Sequence, residues 1–297
     1  MLMMVVIRNA ALRAEVSPFR AELVSLRTSD GHELMWDGNP DVWKGSSPIL
    51  FPIVGMVPND EVKIDGQSYR LQQHGLAPRA EFVVAQIEPN CCAFRFEASP
   101  ETSVSYPFDF CLDVTYSLID DSLIMSAVVS NRSEAVMPFS FGFHPGFVWP
   151  LPEAGARSAH SVEFEKEELG GMRRPLDGLL HPQIFESAIS DRRIGLKDSL
   201  FDDGAMMFFD LASQRLRYGS DQGISLDIQW HNLPHLALWT KPGAGYLCVE
   251  PWQGFSAPVG FTGELAEKPG IVNLPPSDQR EFKMVVTVRN SKADGNQ

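Results

Sequence analysis

Phe110-Cys111-Leu112-Asp113-Val114-Thr115-Tyr116-Ser117-Leu118-Ile119-Asp120-Asp121-Ser122-Leu123-Ile124-Met125-Ser126-Ala127-Val128-Val129 decides the architecture. Phe110, Leu112, Val114, Tyr116 and Leu118 alternate with Asp113, Thr115 and Ser117, the period of a strand with one buried face. Asp120-Asp121 then makes a turn, and Leu123, Met125, Ala127 and Val129 repeat the pattern, so the stretch predicts an antiparallel hairpin. Outward from it, Cys92, Phe94 and Phe96 read as another strand after the Pro89-Asn90 turn. Asp65-Gly66 between Val62-Lys63-Ile64 and Gln67-Ser68-Tyr69 reads as a two-residue hairpin loop. Near the C-terminus Phe282, Met284, Val286 and Val288 alternate once more, predicting a final strand that closes the sheet system.

Helical patterning is thin, with short candidates only at Ser187–Lys197 and Glu163–Leu169. Regularly spaced strands, 22 prolines and no βαβ units predict an all-β fold with few short helices, a large antiparallel β-sandwich or barrel. Residues 152–182 read as a long loop excursion. Residues 1–290 are expected to form one domain and 291–297 a frayed tail.

Composition narrows function by exclusion. A net charge of -13 over 297 residues, with no stripe of Lys and Arg, argues against nucleic acid as a partner. No apolar run nears the roughly 20 residues of a bilayer-spanning helix, so no membrane partner is expected. Met1–Ile7 lacks a basic leader and reads as a first strand. Cys91, Cys92, Cys111 and Cys248 show no CxxC spacing and read as reduced thiols of a cytoplasmic protein. Asn131-Arg132-Ser133 reads as a polar turn.

Three stretches hold candidate chemistry. In Phe139-Ser140-Phe141-Gly142-Phe143-His144-Pro145-Gly146-Phe147 the aromatics alternate on one face, and Pro145-Gly146 is expected to stop the strand just after His144. Leu71-Gln72-Gln73-His74-Gly75-Leu76-Ala77 again sets a histidine before a glycine. Tyr246-Leu247-Cys248-Val249-Glu250-Pro251-Trp252 puts Leu247 and Val249 on one face and Cys248 and Glu250 on the other, with Pro251 expected to end the strand. Two histidines and a partly desolvated glutamate make an acid/base set. Each also has a plainer reading, a histidine satisfied in a loop or a glutamate paired at a sheet end. Trp149, Trp252 and Phe255 are candidates for stacking on a sugar ring, or for the core.

His74-Gly75-Leu76-Ala77, Phe141-Gly142-Phe143-His144-Pro145, Val249-Glu250-Pro251-Trp252 and, upstream, Ser47-Pro48-Ile49-Leu50-Phe51-Pro52-Ile53-Val54-Gly55 together resemble the aldose 1-epimerase (galactose mutarotase-like) family, in its bacterial LacX-like branch. The likeness runs from about Leu23 to Val288. It implies a galactose mutarotase-like supersandwich with a sugar in an open cleft. It also implies that Glu250 takes the anomeric proton, His144 protonates the ring oxygen and His74 holds and polarises the sugar, with neither metal nor cofactor. The partner is then a small-molecule sugar, and the protein a monomer or homodimer.

The departures concern hydroxyl recognition. Met56 stands where the branch usually has an arginine, Pro78 interrupts a motif that often runs on to an arginine, and Gly204 occupies a slot for a sugar-binding aspartate. Arg79 and Asp203 are therefore the candidate replacements, with Gln73 and Trp252 completing the substrate-binding set. Two other readings stay open: a non-catalytic carbohydrate-binding protein, and a metal-dependent β-sandwich enzyme using the two histidines and the carboxylate. A glycosidase would need a second facing carboxylate, and only one is well placed.

Overall fold

The computed structural model describes residues 3–290. The Phe110–Val129 stretch forms the expected hairpin: Phe110–Ile119 and Ser122–Asn131 pair antiparallel across the Asp120-Asp121 turn. Leu112, Val114, Tyr116 and Leu118 are buried, as are Leu123, Met125, Ala127 and Val129 opposite them. The hairpin lies inside a nine-stranded antiparallel sheet. Its C-terminal strand Gln279–Asn290 pairs with Ser122–Asn131 on one side and Ile224–His231 on the other, so the last strand joins the two halves of the chain.

A second, seven-stranded sheet contains Met206–Phe208, His235–Trp239, Tyr246–Gln253, Phe141–Phe143 and Ile49–Leu50 among its members. The inner faces of the two sheets share one core. Phe141 of the second sheet stacks on Phe282 of the first, with ring centroids 4.7 Å apart and planes at 12°. The fold is the antiparallel β-sandwich that the alternation predicts.

Two expected helices do not form. Within Ser187–Lys197, Asp191 and Arg192 take left-handed backbone angles, and Arg193–Gly195 adds a strand beside Ser161–Phe164. Glu163–Leu169 begins as part of that same strand, with Val162 and Phe164 buried at period two. Sheet pairing outweighs weak helix propensity in both places. The one α-helix among the described residues is the single turn Pro100–Ser103, capped by Ser99. Residues 152–182, expected as loop, contain the Ser161–Phe164 strand and a small hairpin, Pro175–Leu176 with Leu179–Leu180.

At the N-terminus the first strand is Val5–Arg8, and the expected frayed tail lies outside the described residues. No described helix is long and apolar enough to cross a membrane. All four cysteines are free. Asn131 is buried and donates its amide to the carbonyls of Ala135 and Leu274, tying its turn to the sheet.

The Phe141–Phe282 stack yields a prediction. Phe141→Ala should cost about 3–5 kcal/mol in urea unfolding, the usual range for emptying an aromatic core position. An unchanged midpoint would show that this contact does not join the sheets.

Candidate active site

The Tyr246–Gln253 strand presents two chemistries on its two faces. Leu247 and Val249 enter the shared core, while Tyr246, Cys248, Glu250 and Trp252 point to the outer face. Pro251 does not end this strand, contrary to expectation. It pairs with Leu236 on one side, and on the other it falls in a gap that no strand fills, so its missing N–H breaks no ladder there.

That gap is made by the Phe139–Phe147 stretch. The sequence reads it as one strand stopped after His144, whereas the structure divides it into Met137–Phe139, Phe141–Phe143 and Gly146–Val148. The last two both pair with Tyr246–Gln253, above and below the interruption. Pro145 therefore pauses the ladder without ending it, and its carbonyl accepts from Val249 N–H at 3.2 Å. His144 is turned out over the sheet beside Glu250.

The two side chains meet there: His144 Nε2 lies 3.1 Å from Glu250 Oε2. The approach is off the in-line direction of a hydrogen bond, and Oε2 is left without a donor. His144 Nδ1 is also unpartnered. Trp43 stacks on the imidazole at 5.1 Å, and the rings of His74 and Trp239 meet it edge-on at 5.7 and 5.9 Å. The loop carrying Trp43 is anchored by buried Glu22, whose carboxylate accepts from the Ser46 and Ser47 N–H groups at 2.6 and 3.0 Å.

His74 sits in a tight turn with positive φ. Its N–H donates to the Gly55 carbonyl at 2.8 Å, and its Nδ1 accepts from Gly55 N–H at 3.1 Å. The proton of the neutral ring is thereby placed on Nε2. Only glycine fits next in the chain, because a Cβ on Gly75 would lie 2.5 Å from the Phe51 carbonyl oxygen.

Burial sets the charge states. It pushes the Glu250 carboxyl well above the ordinary carboxylate range. Burial, then the neighbouring His74, holds His144 well below the usual imidazole range. Burial and then the Arg79 charge bring His74 down to about 4. At neutral pH His74 is thus a neutral donor, while burial disfavours the charged forms of both His144 and Glu250.

All three side chains line one cleft of about 470 Å³, together with Gln73, Trp252, Trp43 and Trp239. Trp252 packs over Gly142, and its indole N–H is unpartnered. Arg79 lies behind the cleft, donating to the carbonyls of Gln73 and Gly75 at 3.0 and 2.8 Å, so it holds the His74 turn. Asp203 is exposed and outside the lining, although Gly204 and Ala205 belong to it. A side chain at Gly204 would press on Pro175, and Met56 packs its sulfur against Gly178, so apolar contacts fill both altered slots.

Trp149 and Phe255 lie outside the lining. Trp149 is buried against the Arg157 guanidinium, and Phe255 stacks on Phe209. Sequence reading missed Trp43 and Trp239. Trp239 follows Leu236 and Leu238 in a buried strand and looks like core, while Trp43 is a lone indole in a loop.

Comparison with known proteins decides the family. A profile described as Aldose 1-epimerase matches residues 3–264. The chain belongs to the aldose 1-epimerase family. Protein LacX (chromosomal) of Lactococcus lactis subsp. lactis is 28% identical over 299 residues, covering 97% of this chain and 100% of LacX. The solved structure of a galactose mutarotase related enzyme from Lactobacillus acidophilus superposes with a TM-score of 0.88 at 28% identity, covering 97% of each chain. A galactose mutarotase-like protein from Lactobacillus casei ATCC 334 superposes at 0.90 with 25% identity, covering 97% of this chain and 100% of that one. The resemblance read from the four motifs is the family found, and these neighbours share its fold.

A buried carboxylate without a donor is a strain on the fold of this family member. Because the folded pKa of Glu250 is raised above its ordinary 4.5, its contribution is most favourable below that value and is lost as pH rises through the raised one. Glu250→Gln should therefore melt higher than the wild type at pH 8, with the difference shrinking toward pH 4. A lower melting temperature for the variant at pH 8 would contradict this account of Glu250.

Proposed function

We propose that this chain is a mutarotase, interconverting the anomers of a neutral aldose by acid/base ring opening. The observation that carries the reading is the His144–Glu250 approach of 3.1 Å at the floor of an aromatic-lined cleft. Ring opening removes a proton from the anomeric hydroxyl while another is added to the ring oxygen, and both oxygens are bonded to one carbon. An acid and a base must therefore stand close together, yet must not be locked in a hydrogen bond with each other.

In the proposed cycle the pair shares one proton, carried by His144 in the reactive form, so that the Glu250 carboxylate takes the anomeric proton while His144 delivers its own to the ring oxygen. The C1–O5 bond breaks and the C1 carbonyl forms. His74, with its proton on Nε2, donates to a sugar oxygen and fixes the ring. Rotation about C1–C2 presents the other carbonyl face, and closure runs the same transfers in reverse. Trp43, Trp239 and Trp252 supply apolar faces for the C–H surfaces of a pyranose and exclude water from the transfer.

The cleft also favours an uncharged substrate. No lysine or arginine lines it among the described residues, and its one carboxylate would repel a phosphate. Arg79, which follows the His74 turn, gives its Nη1 to the backbone carbonyls of Gln73 and Gly75.

Anomer exchange measured by NMR tests the reading. The wild type should accelerate equilibration of freshly dissolved α-D-glucose or α-D-galactose, and of their 6-phosphates far less. Glu250→Gln and His144→Gln should each lose about 10²–10⁴-fold in rate, the usual range for general acid/base catalysis. Full activity in Glu250→Gln would remove that residue from the mechanism. Sugar binding without any acceleration by the wild type would make the chain a carbohydrate-binding protein instead. With a base whose pKa is raised, the acid limb of the rate profile should lie above pH 4.5, and activity should rise with pH through it.

A further inference from the structure

Proton transfer on a sugar leaves one reactive group at the site without a role. Cys248 lies two residues before Glu250 on the same outward face, fully buried beneath the Trp43 loop. Its sulfur, a ring nitrogen of His144 and a carboxylate oxygen of Glu250 all lie within 4.8 Å of one another. One thiol, one imidazole and one carboxylate form a donor set suited to zinc-like ions and not to magnesium or calcium, which prefer oxygen alone. Tetrahedral coordination with bonds of about 2.0–2.3 Å would set the donor atoms roughly 3.5 Å apart, so modest side-chain adjustment closes the site.

A second, independent observation points the same way. Glu250 Oε2 is buried and has no hydrogen-bond donor, which is an uncommon state for a carboxylate oxygen. A cation would satisfy it. His74 is not part of the set, because its Nδ1 is held by Gly55 N–H.

We propose that His144, Cys248 and Glu250 form an inhibitory site for a thiophilic divalent cation, with the cleft supplying its fourth ligand as water or a sugar hydroxyl. On binding, the Cys248 thiol gives its proton to solvent and its sulfur bonds the metal. The same ion occupies both groups that move protons, so metal and sugar turnover exclude each other. The inhibition rests on the mutarotase reading; the binding does not.

Cadmium titration of the full chain tests the binding, read by the ultraviolet cadmium–thiolate charge-transfer band. One equivalent should saturate the band in the wild type and in Cys91→Ser, while Cys248→Ser should lose it and bind at least about tenfold more weakly. X-ray absorption of the zinc-loaded wild type, which needs no variant to fold, should show one sulfur at about 2.3 Å and the rest nitrogen or oxygen. An unaltered band in Cys248→Ser, no band at all, or a zinc shell without exactly one sulfur would overturn the site. If the band behaves as expected, zinc should slow wild-type anomer exchange and spare Cys248→Ser. Equal slowing of both would overturn the inhibitory role while leaving the binding result intact, and a wild type with no exchange activity would count against the mutarotase reading alone.

Discussion

Glu250 and His144 stand 3.1 Å apart without a hydrogen bond between them, and much of the molecule is arranged around that condition. A buried carboxylate normally collects donors, because each unmatched one costs stability. Here the sheet withholds them. Across the strand Glu250 faces Ala237, which has nothing to donate, and on its other side lies the gap left by the His144-Pro145 interruption. The unsatisfied atom is the kind of local strain found at working sites and balanced elsewhere in a fold.

That balance comes from a shared core. The strand that exposes Glu250 and Trp252 to the cleft sends Leu247 and Val249 inward, and the neighbouring strand divides Leu236 and Leu238 from Ala237 and Trp239 in the same way. Every position on one face is fixed by the packing of the other, since a one-residue slip would move the apolar set into water. The sandwich thus specifies the site by specifying its register. The 3.1 Å approach survives because neither strand can slide.

The cleft wall shows a different economy of contacts. Where the family resemblance leads one to expect an arginine and an aspartate gripping hydroxyls, Met56 lies on Gly178 and Pro175 closes on Gly204. The wall is left with flat aromatic surfaces and the neutral His74. The nearby Arg79 acts through the turn that it holds, which keeps the His74 ring pointed at the cleft. On the mutarotase proposal, such a wall selects its sugar by shape and by the absence of charge more than by a fixed set of hydrogen bonds.

The sequence by itself determined the sandwich, the two-faced character of Tyr246–Trp252 and the choice of His74, His144 and Glu250 as titratable side chains that line one cleft, because strand alternation and short motifs are local properties of the chain. It misjudged Ser187–Lys197 and Glu163–Leu169, whose weak helical pattern gave way to sheet partners far along the chain. It took Pro251 as a strand end, though that residue faces the break in the Phe139–Phe147 stretch and loses no ladder bond by its missing N–H, and it took Pro145 as the end of a stretch that resumes pairing at Gly146. Only the tertiary structure brought in Trp43 and Trp239, left Asp203 outside the lining, turned Arg79 to its own loop and set Cys248 against His144 and Glu250. Those outcomes depend on which segments fold beside one another, and a one-dimensional pattern records which face a residue occupies but not what stands opposite it.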